Sequence, residues 1–208
     1  MEDVLDVYKK PYDPKRPQVC FDERPKQLVA EICKPIPAGV GRPARYDYEY
    51  RRNGVANIFM MFEPLAGKRY VKITQRRTKI DWARCMHQLV DEIYPQAEQV
   101  VPVMDNLNTH SKASLYEAFE PTEAKRIADK LEIHYTPRHG SWLNMAEIEM
   151  SVLSRQCLAE RMGDMEHLER EALAWEHKRN SKEAKADWRF TTEDARIKLK
   201  KLYPSIEM

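Results

Sequence analysis

The four cysteines of this chain, Cys20, Cys33, Cys85 and Cys157, include no CxxC pair, and its six histidines offer no HxH or HExxH spacing. Neither a thiolate zinc site nor a disulfide framework is indicated, and a reducing compartment fits best. No segment approaches the roughly 20 apolar residues of a membrane span, and Met1-Glu2-Asp3-Val4-Leu5 lacks the basic and apolar pattern of a leader. The expectation is a soluble cytoplasmic protein with no membrane partner. Charge of one sign is also missing. The 35 Lys and Arg against 33 Asp and Glu leave a formal net charge of +2, so any nucleic-acid surface has to come from local patches. There is no internal repeat and no low-complexity tract. The 208 residues suit one large domain, or a domain with an appendage, with a real core.

What the chain has is strand-length apolar runs that end in acids. Val100 to Met104 stops at Asp105-Asn106-Leu107-Asn108-Thr109-His110, and Val19-Cys20-Phe21 stops at Asp22-Glu23. Residues 1–18, with Pro11, Pro14 and Pro17 among charges, read as an extended lead-in. Arg24 to Arg52, broken by Pro25, Pro35, Pro37, Pro43, Gly39 and Gly41, reads as a long irregular loop. Asn53-Gly54 signals a turn, Val55 to Phe62 a central strand, and Arg69 to Thr74 its hairpin partner. Thr78 and Asp81 open a helix that keeps its apolar spacing to Ile93. Pro102 cannot supply a ladder N–H, so regular pairing is expected from Val103 onward.

Helical patterns follow at Lys112–Phe119, Thr122–Leu131, Asn144 to about Ala159, Glu166 to about Arg179, and Thr192–Leu202, with a brief strand at Ile133–Tyr135. The fold class is therefore α/β, a mixed sheet with an antiparallel portion flanked by helices. The division expected is a lead-in at 1–18, a core at 19–160, and a C-terminal helical extension at 161–208 packed on that core.

Asp22 and Asp105 lie 105 − 22 = 83 positions apart, each where a strand pattern gives out. If their strands are parallel neighbours, the two carboxylates emerge side by side. Such a pair is stable only with a raised pKa or a bound cation. Carboxylates without thiols select hard ions such as Mg²⁺ or Mn²⁺, and two such ions ~3.5–4 Å apart can cut a phosphodiester. The alternative is that each acid merely ends a strand or caps the next element. Glu23 points to the opposite face from Asp22 by strand alternation.

Asp105-Asn106-Leu107-Asn108-Thr109-His110, followed by His134-Tyr135-Thr136-Pro137-Arg138-His139-Gly140-Ser141-Trp142-Leu143-Asn144-Met145-Ala146-Glu147, resembles the catalytic core of insertion-sequence transposases of the mariner-like superfamily. Asp105 matches that family's second acid, Glu147 its third, and Asp22 in Cys20-Phe21-Asp22-Glu23 its first. The resemblance covers roughly residues 18–204. It implies a ribonuclease H-like fold, with three antiparallel strands plus parallel ones. It further implies that Asp22, Asp105 and Glu147 hold two Mg²⁺ or Mn²⁺ ions as catalytic residues. The activity implied is metal-dependent cutting and joining of double-stranded DNA at element ends, with a homodimer on DNA in the bacterial nucleoid.

Transposases of this type ordinarily carry N-terminal helix-turn-helix modules, for which residues 1–18 are too short. The chain thus reads as a catalytic domain alone: a fragment, a split-frame product or a decayed copy. Two other readings stay open, a structure-selective nuclease on the same fold and a truncated regulator that binds DNA or dimerises without catalysis.

Glu149 competes with Glu147 for the third place. At about 100° per residue the two lie roughly 160° apart on a helix and should not share one metal centre. Met145, Ile148, Val152 and Leu153 surround Glu149, whereas Asn144, Ser151 and Ser154 flank Glu147, which makes Glu147 the more accessible. Its bland alternative is a capping box with Asn144. Asn106, Asn108, His110 and His139 are assigned supporting roles around the acids. Trp142 reads as a buried loop anchor, with a stacking platform for an unpaired DNA base as the alternative. Arg42, Arg45, Arg51 and Arg52, interleaved with Tyr46, Tyr48 and Tyr50, make one candidate DNA contact; Arg76, Arg77 and Arg138 add to it, and a solvated surface is the alternative.

Overall fold

Side chains alternate between the two faces of a strand, so a sheet buried on both sides needs apolar residues at every position. Ile58 to Phe62 meets that requirement. Ile58, Met60 and Phe62 enter one core and Phe59 and Met61 the other. The computed structural model describes residues 1–203. Its five strands are β1 (Gln18–Glu31), β2 (Tyr50–Glu63), β3 (Lys68–Thr74), β4 (Val101–Met104) and β5 (His134–Tyr135). They form one sheet in the order β3-β2-β1-β4-β5. β1, β2 and β3 are antiparallel, and β4 and β5 run parallel to β1, giving a mixed sheet with an antiparallel and a parallel portion.

The helices are α1 (Glu2–Lys9), α2 (Lys79–Gln88, continued by a wider turn Leu89–Ile93), α3 (Leu115–Ala118), α4 (Pro121–Lys130), α5 (Met145–Gln156), α6 (Met165–Asn180) and α7 (Thr192–Lys198). Trp82, Met86, Leu115 and Ile127 of α2, α3 and α4 pack with Phe21 and Phe59 on one face. Met150 and Leu153 of α5 and Leu168 and Trp175 of α6 pack with Cys20, Met60 and Val103 on the other, joined by Val4, Leu5 and Tyr8 of α1. Thr78 and Asp81 form a reciprocal capping box at the start of α2. On the β3 edge, Glu176 accepts from Val71 N at 2.6 Å, and the Asn180 amide pairs with both backbone groups of Arg69. The helix thereby occupies backbone positions that an exposed edge would leave open.

Four local expectations are corrected. Residues 2–9 are helical rather than extended, because the prolines constrain only residues 11–17 while Val4, Leu5, Val7 and Tyr8 form a buried stripe over an acidic first turn. The stretch after Arg24 is a strand: β1 continues to Glu31 and β2 begins at Tyr50. Pro25 is tolerated because β4 covers only Gln18 to Cys20, leaving that edge of β1 free of a strand partner further on. Asn53-Gly54 marks a bulge within this long hairpin, opposite Gln27 to Val29, with Gly54 at φ +92°, and not its turn. The hairpin arm ends in a small paired tip, Ile36 with Arg45 and Gly39 with Arg42.

Finally, β4 pairs from Val101, with Pro102 opposite Val19. Val101 N bonds Pro17 O on the β1 side, whereas Val100 N bonds Lys130 O on the other. Alternation turns the Pro102 nitrogen toward the two-residue β5, where only one ladder bond is forgone.

Candidate active site

The β1–β4 register places the first two acids. Gln18 pairs with Val101, Val19 with Pro102 and Cys20 with Val103, the same sequence offset that separates Asp22 from Asp105. Carried two residues beyond the last pair, the register sets the two acids opposite each other. Both sit two places after residues of the core that faces α5, Cys20 and Val103. Glu23 is on the other face, as alternation requires.

Glu147 arrives from the first turn of α5. Asn144 caps that helix by accepting from Ala146 N at 3.1 Å, and its amide donates to Phe21 O at 2.8 Å. The buried Asn144 therefore ties the helix carrying the third acid to the strand residue just before the first. No capping box forms: Asn144 N bonds Ser141 O, and the Glu147 carboxylate has no hydrogen bond or ion pair among the described residues. Glu149, two positions on, is only 3% exposed and lies between Arg69 Nε at 2.9 Å and Arg179 Nη2 at 2.9 Å. Its charge is already neutralised.

Burial pushes the Asp22 carboxyl up to about 7; a hydrogen bond from Glu23 N at 2.8 Å opposes the rise, and the charges of Glu147, Asp105 and Glu23 add to it. Asp22 thus feels the charge of both other acids, and among the described residues no cationic side chain is paired to Asp22 or Glu147.

Asp105 does have a cationic neighbour. His110 presents Nε2 to Glu23 Oε2 at 2.7 Å, and its Nδ1 lies 2.6 Å from Asp105 Oδ1 and 3.1 Å from the Asp105 carbonyl. Burial would lower the imidazole, but the contacts with Asp105 and Glu23 outweigh it and raise it to about 9. An imidazolium therefore clamps the two acids at neutral pH. The angle at Nδ1 favours the carbonyl, so the buried Asp105 Oδ1 has a close charge contact and no well-directed hydrogen bond. Phe21 packs edge-on to the His110 ring and Trp82 stacks on it, fixing its plane.

The other candidates are dispersed. Asn106 and Asn108 are exposed, with no side-chain hydrogen bond among the described residues, so they do not hold the carboxylates in this structure. His139 is exposed at φ +62°, beside exposed Arg138. Trp142 is 42% exposed, not a buried anchor: it stacks on Trp188 at 6.2 Å and meets Phe190 edge-on at 5.9 Å, which supports its inner side only.

Arg42, Arg45, Arg51 and Arg52 stand on the hairpin arm, which continues β1 beyond the end of the sheet where the acids emerge. Together with Arg76, Arg77 and Arg138 they are exposed, and none is in an ion pair among the described residues. Sequence reading missed two contributors, Tyr8 and the second bond of Asn144. The cap was visible; its partner, 123 positions away, was not.

A hard divalent cation fits this donor set. The charges of Glu147 and Asp105 both reach Asp22, neither Asp22 nor Glu147 has a cationic partner among the described residues, and one Asp105 oxygen is buried without a directed donor. The triad is more open than a closed single-ion cage. Among the described residues, only His87, Asp91 and Glu123 bring three such ligand atoms within 4.8 Å of one another, and Arg126 already bridges those two carboxylates.

A family model described as DDE superfamily endonuclease matches residues 17–169. No curated protein sequence matches the chain. Solved structures similar to it include the Mos1 mariner paired end complex with Mn, at 14% identity, 88% of this chain, 60% of that chain and TM-score 0.38. The Mos1 transposase paired-end complex with left transposon end matches at 18% identity, 89% and 60% coverage and TM-score 0.36. The chain spans about 60% of the length of these Mos1 chains.

Proposed function

The chain belongs to the DDE superfamily of endonucleases, and on that premise we propose that it is the catalytic domain of a mariner-like insertion-element transposase. The observation that supports this most is the β1–β4 register that carries Asp22 and Asp105 to the same end of the sheet, with the charge of Glu147 reaching Asp22 and no cation paired to Asp22 or Glu147 among the described residues. These three residues would hold two Mg²⁺ or Mn²⁺ ions. The chemistry such a site would gain from bound ions is activation of an oxygen nucleophile and stabilisation of the leaving oxygen of the phosphodiester.

The chain's own groups do the rest. Asp22 gives up its proton when a ligand takes its place. His110 holds the Asp105 carboxylate in orientation through charge, with Glu23 as its second anchor. The unpaired arginines of the arm, with Arg76, Arg77 and Arg138, meet phosphates of double-stranded DNA, and the open face of Trp142 is available to an unstacked base. Cutting at element ends followed by attack of a 3′-hydroxyl on target DNA, by a homodimer on the bacterial nucleoid, completes the reading.

The test is Mn²⁺-dependent nicking of supercoiled DNA by the purified chain beside Asp105→Asn. Nicking by the parent and none by the variant is expected; equal activity in both sinks the assignment. Joined products with element-end DNA would separate a transposase from a nuclease that only cuts, and DNA binding without nicking by either protein would favour a non-catalytic regulator.

A further inference from the structure

Glu147 is held by more than its own helix. The turn Ser141–Leu143 that leads into α5 is fastened from outside the sheet by α1. Tyr8, 6% exposed, donates its hydroxyl to Leu143 O at 2.8 Å, four residues before Glu147. The same oxygen receives the Cys20 thiol at 3.3 Å, two residues before Asp22 and on the same face. One phenol hydroxyl therefore touches both the strand of the first acid and the entrance to the helix of the third. Its ring is 5.3 Å from that of Trp188, which also backs Trp142.

Helix α1 is fixed independently at both of its flanks. Arg196 of α7 forms a fork on Glu2 with two bonds of 2.8 Å, Thr192 bonds Asp6 at 3.0 Å, and His134 of β5 meets Asp3 at 2.8 Å. Packing alone would keep Tyr8 buried. It would not require the hydroxyl to reach the carbonyl of Leu143, which lies 135 positions away.

We propose that Tyr8 is a positioning residue for Glu147: through Leu143 O and Cys20 Sγ it sets the spacing between the first and third acids, and α1 is the strut that holds it there. The inference rests on the metal site proposed above. Groups that orient a ligand without touching the ion ordinarily change metal affinity by about 10- to 100-fold when removed. A phenol that only fills the core would leave that affinity alone once its ring is kept.

Mn²⁺ binding to the purified chain, titrated calorimetrically at a temperature where each variant is fully folded, separates these cases. Tyr8→Phe should bind Mn²⁺ roughly tenfold more weakly, and amide exchange at residues 143–147 should quicken. Asp105→Asn is the control for the site. If it binds Mn²⁺ like the parent, the metal site itself is wrong. If it loses binding while Tyr8→Phe keeps the parent affinity, the site stands and Tyr8 positions nothing. Should Tyr8→Phe fail to fold, Arg196→Met combined with Thr192→Val replaces it, since together they remove the bonds from α7 to Glu2 and Asp6 of α1 without touching Tyr8. A loss of about tenfold supports the strut, and unchanged affinity overturns it.

Discussion

Glu147 and Glu149 stand two residues apart on one helix and have opposite surroundings. Glu149 lies against Arg69, which is 0% exposed, and Arg179; Arg69 further donates to Gly67 O and Ala184 O and stacks over Phe62 at 4.7 Å. The charge of Glu147 reaches Asp22, and among the described residues no cation pairs with either. The first site is complete within the chain. The second carries surplus negative charge that the fold leaves uncompensated, as expected where a bound cation belongs. Equal residue type and near-equal position thus divide into one acid that holds helices together and one that waits for a partner.

Exchanging the two acids' fates is the strongest way to break this comparison. Glu147→Gln should reduce Mn²⁺-dependent nicking by about a thousandfold, or ~4 kcal/mol of transition-state stabilisation, with an unfolding midpoint close to that of the parent. Glu149→Ala should do the reverse. Leaving Arg69 buried with its main partner gone should destabilise the fold by about 3–5 kcal/mol in urea titration. Nicking at low temperature by the fraction still folded should persist. If Glu149→Ala is as stable as the parent, the structural half of the comparison fails.

Protonation gives the next contrast, because the two sites depend on pH with opposite signs. Asp22 is raised to about 7 from an ordinary 3.8, so the folded state holds that proton more tightly than the unfolded one. Stability is then lost as pH rises from about 4 to about 7, and the loss is fully present above that. In metal-free buffer at pH 8, Asp22→Asn should therefore be more stable than the parent by ~1–2 kcal/mol, a value reduced for its partial exposure, and the gain should vanish near pH 4. Glu149 behaves oppositely. Burial alone would raise it, but Arg179 and Arg69 hold it below its ordinary value. Its contribution is present above the unfolded value and fades as pH falls through the folded one. Thermal melts across pH 3–8 read both signs.

The smallest effects belong to the surface. Arg45→Ala or Arg76→Ala should lower the slope of log K against log salt for duplex DNA by about one unit each. Arg196→Ala, whose guanidinium is taken by Glu2, should leave that slope unchanged.

The pairing of Asp22 with Asp105 was legible because each ends an apolar run, and their common offset became the register of β1 against β4. The capping box of Thr78 and Asp81 was equally local, and it forms as its spacing requires. What stayed hidden depends on partners far along the chain. The stripe of α1 was obscured by the prolines behind it, and β1 runs through Pro25 only because β2 pairs with it from Tyr50 onward. Trp142 looked like an anchor until Trp188 and Phe190, more than forty positions later, proved to cover only one of its sides. The roles given to Asn106 and Asn108 assumed short-range bonds to the acids; both side chains face solvent instead.

The most direct measurement is anomalous diffraction from crystals of the chain soaked in Mn²⁺. The account predicts anomalous density among the carboxylates of Asp22, Asp105 and Glu147 and none beside Glu149. Density confined to His87, Asp91 and Glu123, or none between the three acids in crystals that hold Mn²⁺ elsewhere, would contradict it.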